Sequence, residues 1–557
     1  MVNTLENNKN TDYSDEMSKF LNVVLENTRE KQEQINFETK EQEEIPSEVE
    51  VNFLVNLFNN KQIELLLIEV NNLKLKFPNF YYLYYLKGLA LKEQNKLTNA
   101  VIEFKKTLYL KSDFFEASFE EGNIHRTSER YDDAISSYNK SLEMDPTNSK
   151  ILNNIGMCYL STENFQLAIQ YFEKALKFDP SYLLAYNNLG WVFAKLGETE
   201  KTYANFQNAA KYVPNSPEVY KNLASTDLEK GNIKDAITFF LKSLEINPSF
   251  IYSLRSLTSI YVQAPELIDI KTRKKIKSLF LKNKYSQDPV VLALLMIFYY
   301  SIGKRIKYLL ILSKFDKCKD TNKCELTSEE DRFLTPYGLF LTSLKNYKWF
   351  KTNKKTETIF HIGDSHSLSF GNQLLKIKET EFKVLPKLII GVKAFHLSQP
   401  TQNRYKYFLK NHMLSIPKRS KVLFSVGEID CRIDEGILLH FKKTAKSLET
   451  IIKNTVYGSF NYVNKLNKAT NHSIYFLGIP SPVHHKTRES GEYFQLIEII
   501  NKFNFHLKNL CVKHNYVYVD TYSITSNKIK NTNNTMFCDN VHLSPNIIDE
   551  IETQINN

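Results

Sequence analysis

Gly363, Asp364, Ser365 and His366 stand where an apolar run of strand length, "IFHI", breaks off. A turn of small and polar residues at a strand end is a usual place to expose a nucleophile, and equally a usual place for an ordinary turn. A serine hydroxyl attacks a carbonyl only when an imidazole accepts its proton. That imidazole needs a carboxylate to fix its tautomer and stabilise its cation. Near the end of the chain "DNVHLS" presents both groups from one loop, so Ser365, Asp539 and His542 form a candidate triad for ester cleavage through an acyl-enzyme. The alternative for His542 is a capping or core histidine ahead of the helix start at "SP". Asp364, His366, Glu428, Asp430 and Arg432 are the candidate substrate-binding residues. Arg432 could stabilise an oxyanion or hold an anionic group, whereas an ion pair pinning the loop "VGEIDCR" is the bland alternative. His366 is open between substrate contact and turn packing. His484 and His485 in "PSPVHHK" lack a third ligand at suitable spacing, so neither a metal nor another cofactor is expected.

The elements that must position these residues follow from the pattern after Thr358. Strand-length apolar runs recur at "TIFHIG", "FKVLPKLIIG", "KVLFSVG", "SIYFLGIP" and "YVYVD", separated by helix-length stretches such as 435–453 and 491–513. Strands alternating with helices imply a parallel sheet covered on both faces, with the functional loops at the carboxyl ends of the strands.

Four points in this region resemble the SGNH hydrolases, also called GDSL-like esterases, and the resemblance covers about the last two hundred residues. "GDS" at Gly363, Asp364 and Ser365 matches the block that supplies the nucleophile. "IIGVKA" places Gly391 after the second strand, where the family uses a glycine amide. "VGEIDCR" stands at the GxND block, and "DNVHLS" matches the DxxH block through Asp539 and His542. The resemblance implies a three-layer, flavodoxin-like α/β domain with an oxyanion hole built from the backbone amides of Ser365 and Gly391. It implies a small acyl ester as substrate, often an O-acetyl group on a glycan. One departure is Ile429, which stands where the family has a donor asparagine. Losing one such donor typically costs about a hundredfold to a thousandfold in rate. An acyltransferase working through the same serine, and a binding module without turnover, are therefore kept as alternatives to the esterase.

The first half of the chain reads differently. Small residues recur at Gly88, Gly122, Gly156, Gly190 and Ala224. Ala100, Ala134, Ala168, Thr202 and Ala236 follow at one offset, and Phe104, Tyr138, Phe172, Phe206 and Phe240 at another. Pro78, Pro146, Pro180, Pro214 and Pro248 keep the same register, with Ser112 in the one gap. These columns are similar to those of the tetratricopeptide repeat family, whose unit of about 34 residues is a pair of antiparallel helices. The resemblance implies an all-α superhelix of about six units whose concave face holds a protein or peptide partner. Asn188 and Asn222 sit as in peptide-clamping members. An array that only spaces and caps the second domain is the alternative.

The expected organisation is a disordered acidic tail at 1–45, the repeat array at 46–263, a helical connector without chemistry at 264–356, and the α/β domain at 357–557. A chain of 557 residues is too long for one core. Its net charge of +11 is concentrated in stretches such as "KTRKKIKSLFLKNK", without the aromatic interleaving of a nucleic-acid surface, so no nucleic acid partner is expected. The six cysteines are scattered with no CxxC pair, which fits a reducing compartment. The opening residues carry no secretion signal and the longest apolar run is too short to span a bilayer, so a cytoplasmic location is expected.

Overall fold

A computed structural model of the chain describes residues 45–281, 288–319, 328–347, 349, 356–432, 436–482, 491–528, 537 and 542–557. The tail expected to be disordered lies outside these residues except for its last position, and so do His484, His485 and Asp539. The chain divides between Pro214 and Asn215 into two compact units.

The described residues of the first unit form ten helices: α1 (Glu48–Asn59), α2 (Ile63–Lys76), α3 (Tyr81–Glu93), α4 (Leu97–Leu110), α5 (Phe115–Thr127), α6 (Tyr131–Met144), α7 (Ser149–Ser161), α8 (Phe165–Phe178), α9 (Leu183–Lys195) and α10 (Thr199–Tyr212). They pair in order as five hairpins, and Pro78, Pro146 and Pro180 fall in the links between hairpins. Two of the sequence columns turn out to be the two sides of one contact. A Cβ placed on Gly88 would lie 2.5 Å from the Phe104 ring. The corresponding distances are 2.6 Å for Gly122 to Tyr138, 2.7 Å for Gly156 to Phe172 and 2.3 Å for Gly190 to Phe206. In these four hairpins only a residue without a side chain lets the helices close onto that ring.

A further column was not apparent from residue types. The turn inside each hairpin contains a left-handed residue: Lys61 (φ 56°), Asn95 (φ 58°), Glu129 (φ 59°), Glu163 (φ 57°) and Gly197 (φ 74°). The amide of the next residue reaches back to close the helix end, as in Gln62 N to Leu57 O (2.9 Å) and Asn164 N to Tyr159 O (2.8 Å). This is the closure usually made with glycine at the left-handed position. Hydrogen-bond geometry sets the conformation here, and Lys and Glu tolerate it at a cost.

The second unit begins with a sixth hairpin, α11 (Pro217–Lys230) and α12 (Ile233–Ile246), turned at Gly231 (φ 83°). Then come α13 (Ile251–Gln263), α14 (Ile270–Leu281), α15 (Pro289–Ser301), α16 (Arg305–Lys319) and α17 (Ser328–Ser343). The α15–α16 turn repeats the closure, with Gly303 at φ 68° and Lys304 N bonded to Tyr299 O at 2.8 Å. Asp288 caps α15 through Val291 N at 2.9 Å and forms a buried ion pair with Arg255 of α13 at 2.6 Å.

A six-stranded sheet follows, with β1 (Glu357–Gly363), β2 (Leu374–Ile377), β3 (Thr380–Leu388), β4 (Lys421–Ser425), β5 (Ser473–Leu477) and β6 (Val517–Val519) in the order β2-β3-β1-β4-β5-β6. The expectation of a wholly parallel sheet is corrected: β2 pairs antiparallel with β3, so the sheet is mixed. The two are joined by a two-residue turn at Lys378 (φ 54°) and Glu379, which lacks the Asn-Gly or Asp-Gly signature of a tight hairpin. Pro386 is tolerated within β3 because β2 pairs only as far as Lys383, leaving the proline's missing donor on an unpaired side.

The parallel strands are linked by α18 (Ala394–Ser398), α19 (Arg404–Ser415), α20 (Ile437–Lys443), α21 (Leu448–Thr470) and α22 (Gly491–Lys513), and β6 is followed by α23 (Thr521–Lys528) and α24 (Ile548–Asn556). Alternate residues of β4 enter different cores. Val422 and Phe424 pack with Leu409, Phe460 and Phe503, whereas Leu423 packs with Phe370, Ile547 and Ile551. The first of these cores also takes in Phe240 and Leu257, so the last hairpin and α13 share apolar packing with one face of the sheet. Gln263 Oε1 accepts from Ile390 N at 2.8 Å, and Tyr300 bonds to Gly371 O at 2.8 Å.

Replacing Glu163 by Gly should relieve the left-handed strain at an exposed turn and raise stability by about 0.5–1 kcal/mol, since the relief exceeds the entropic cost of glycine. Chemical denaturation of the full chain checks this. An unchanged or lower midpoint would show that the turn is not held left-handed.

Candidate active site

The chain order of the sheet reverses at β1: from β1 the chain moves outward to β3, then crosses back to β4 on the other side. The crevice outside the carboxyl ends of β1 and β4 is the place where such sheets bind ligands. Gly363 ends β1 there, in register with Leu388 on one side and Ser425 on the other. A Cβ on Gly363 would lie 2.0 Å from Ser425 O, so the backbones approach too closely for any side chain. Asp364 N donates to Ser425 O at 3.1 Å, and Ile389 N donates to Gly363 O at 2.8 Å. Asp364 then caps the short 3-10 turn Ser365–Leu368 by accepting from His366 N at 3.0 Å, and the same oxygen lies 3.3 Å from His366 Nδ1. Ser365 is thereby fixed as the first residue of the turn. It is 4% exposed.

Beneath it, His361 of β1 contacts Ser425 Oγ through Nε2 at 2.9 Å and stacks on Phe370 with ring centres 5.3 Å apart. Burial pushes its imidazole down to about 3, so this histidine is neutral across the physiological range.

His542 arrives from the far end of the chain and is 2% exposed. Its ring stacks on Phe340 with centres 4.1 Å apart and planes inclined by 14°. It lies 5.7 Å from the His366 ring and 6.1 Å from the Tyr337 ring, centre to centre. Capping of the following turn is done by Ser544, whose hydroxyl accepts from Asn546 N at 3.2 Å, so His542 is not used for it. Ser544 also meets Tyr347 Oη at 3.1 Å. Burial together with the negative charge of Asp364 pushes the Tyr337 phenol well above the ordinary range. It is therefore protonated. Tyr337, Phe340 and Tyr347 come from the stretch read as a connector without chemistry. The signal available in "TPYGLFLTSLKNY" was the spacing of Tyr337, Phe340 and Leu344, which marks one apolar helix face but does not say what that face covers.

The loop after β4 has other tasks. Arg432 donates from Nε to Glu428 Oε1 at 3.0 Å and from Nη2 to Oε2 at 2.7 Å, a two-pronged pair across one turn of the loop. Asp430 accepts from Ala394 N at 2.6 Å and Phe395 N at 3.0 Å, holding the start of α18. Burial outweighs these two donors and pushes its carboxyl up to about 7. Ile429 lies between them as a buried apolar side chain. Gly391, three residues beyond the β3 end, has φ 68°. Asp364, Ser365, His366 and His542 thus lie in one buried cluster, Glu428 and Arg432 are paired with each other, Asp430 is engaged with backbone amides, and Asp539 lies outside the described residues.

Comparison with known proteins bears on the helical part. The tetratricopeptide repeat family matches residues 149–182 in one of its forms and 81–114, 115–148 and 217–250 in another. The N-terminal helices are tetratricopeptide repeats. Among solved structures, the chain is similar to YrrB, a TPR protein with an unusual peptide-binding site, at 21% identity over 34% of this chain and 96% of that one, with a TM-score of 0.27. It is similar to the C-terminal part of a TPR repeat-containing protein from Cytophaga hutchinsonii at 17% identity over 49% of this chain and 96% of that one (TM-score 0.34). It is also similar to yeast Tom70 at 15% identity over 52% and 60% (TM-score 0.37). No curated protein matches the chain. No described helix is long and apolar enough to cross a membrane.

The raised Asp430 carboxyl has a consequence for stability. Between its unfolded value near 3.8 and its folded value of about 7 the native state binds more protons than the unfolded state. The contribution of Asp430 is therefore fully present below the lower value and is lost as pH rises through the upper one. Urea midpoints measured from pH 4 to 7 should fall more steeply for the wild type than for Asp430→Asn, which cannot titrate. Parallel profiles would show that the two amide donors keep the group ionised.

Proposed function

We propose that the chain is a protein-interaction scaffold whose C-terminal domain is a serine esterase centred on Ser365. The observation that carries the proposal is the His542 ring 5.7 Å from the ring of His366, the residue next to Ser365, with all three buried, so that groups from opposite ends of the domain sequence meet in one cluster. In this reading Ser365 Oγ attacks an ester carbonyl while His542 takes its proton. Asp539 orients the imidazole, and the amides of Ser365 and Gly391 hold the oxyanion. His542 then returns the proton to the leaving alcohol, and water resolves the acyl-enzyme. The tightness around Ser365 suits a small acyl group, and an O-acetyl group on a glycan belongs to that class. The repeats supply the concave face for a protein or peptide partner, and a cytoplasmic location fits the scattered thiols.

A second reading has a specific observation behind it. Ile429 brings no donor to the loop and Ser365 is nearly enclosed, as in a domain that has kept its fold and binds without turnover.

A serine-directed phosphonate separates the readings. Ser365 should be labelled, and Ser365→Ala or His542→Ala should abolish labelling and any hydrolysis of small activated esters by several powers of ten while the domain stays folded. A folded wild type that resists labelling and is inert toward a panel of acetyl and longer esters would leave the binding module. Labelling without hydrolysis but with acyl delivery to a sugar hydroxyl would make the protein an acyltransferase.

A further inference from the structure

The last sheet bond at the end of β3 is made by Ile389, whose amide donates to Gly363 O at 2.8 Å. The next amide, Ile390 N, donates instead to the side chain of Gln263, reaching Oε1 at 2.8 Å. Val392 N then returns to Ile389 O at 3.3 Å and closes a turn over Ile389–Val392 with Gly391 in its third position. A positive φ at Gly391 and not at Ile390 makes this a type II turn. Turn type decides which way the central peptide points, and that peptide carries the Gly391 amide. Apart from its chain neighbours, the nearest atom to where a side chain at 391 would stand is Tyr405 Oη at 3.9 Å, so conformation and not space calls for glycine. Gln263 is the last residue of α13 and is 9% exposed. Its Nε2 donates to Ser259 O at 3.2 Å and to Ser259 Oγ at 3.1 Å, one turn back on the same helix. A carbonyl only accepts and an amide N–H only donates, so these partners fix which end of the side chain faces Ile390. α13 shares one core with Phe240 and Leu244 of the sixth hairpin. The turn that presents Gly391 is therefore held by a helix that follows the repeats, and not by the sheet.

We infer that Gln263 is a positioning residue of the Ser365 site, its carbonyl holding the first corner of the turn that aims the Gly391 amide at the oxyanion. The inference rests on the esterase reading, in which the amides of Ser365 and Gly391 are the oxyanion donors. Such a donor is effective only when it already points at the oxygen on which charge develops. A turn of this kind changes type by flipping its central peptide, and a flip here would point Gly391 N–H away. With Ile390 N held by Gln263 and Val392 N returned to Ile389 O, both ends of the turn are fixed and the central peptide keeps one orientation. Ile429 brings no side-chain donor from the loop after β4, so in this reading the direction of the backbone donors carries the more weight. Because Gln263 ends a helix packed on the sixth hairpin, the same bond makes the acyl site sensitive to how that hairpin is seated.

Gln263→Leu removes the acceptor at similar volume, and Gln263→Glu keeps an acceptor oxygen in its place. The test compares both variants with the full-length wild type for kcat and KM on a small activated acetyl ester, for the rate of phosphonate labelling at Ser365, for melting temperature, and for hydrogen exchange at the Ile390 amide. The expected result for Gln263→Leu is faster exchange at Ile390 and a fall of about a hundredfold in kcat and in labelling rate, with KM little changed, because a misplaced donor is felt in the transition state. Gln263→Glu should recover most of both rates. Equal kcat and equal labelling in Gln263→Leu and the wild type overturn the inference and leave the esterase reading standing. Equal losses in the two variants, in step with a lowered melting temperature, assign Gln263 to packing and also overturn it. A wild type that is neither labelled nor active overturns the esterase reading and this inference together.

Discussion

The candidate site depends on the close approach of two backbones at the end of β1. Gly363 comes so near Ser425 that a Cβ would lie 2.0 Å from the carbonyl oxygen, and the next residue hands its amide to that same carbonyl. The direction in which the chain leaves the sheet is fixed by this contact. Asp364 can then cap the following turn, and Ser365 is placed at the point where the strand order reverses. Any side chain at position 363 would push β1 from β4 and move the turn that holds Ser365 and His366 away from His542. The glycine of "GDS" is thus required by packing before any chemistry is considered.

The repeat half rests on a similar constraint applied many times. A glycine in the first helix of a hairpin lies under an aromatic ring of the second, and both columns were legible because glycine and aromatic residues are distinctive types. The left-handed turn column was not legible, because Lys61, Glu129 and Glu163 look like ordinary surface residues. There the backbone hydrogen bonds impose the conformation and the side chain only tolerates it. The short strand β2 was missed for a related reason: its turn, Lys378 and Glu379, carries none of the residues that normally announce a hairpin.

The site was legible in part. The small and polar break after "IFHI" marked the turn that holds Ser365, and the five apolar runs marked the five parallel strands. Acidic and basic residues near the serine were harder to read, since a sequence does not reveal what a charge faces. Asp430, expected to meet substrate, is held by the amides of Ala394 and Phe395, and Arg432 is engaged by Glu428. Tyr337 and Phe340 were invisible as site residues because their helix belongs to a segment with no motif, and only tertiary packing carries it to His542. The turn that holds Ser365 follows a strand end, while the aromatic residues packed on His542 come from a neighbouring helix.

The central claim is that Ser365 and His542 form one reactive centre. A crystal structure of the full chain that shows Asp539 tests it most directly. The account predicts one ring nitrogen of His542 within about 3 Å of the Asp539 carboxylate, and the other directed at Ser365 Oγ at hydrogen-bonding distance. An Asp539 side chain turned to solvent, or a His542 ring with both nitrogens directed away from Ser365, would contradict it.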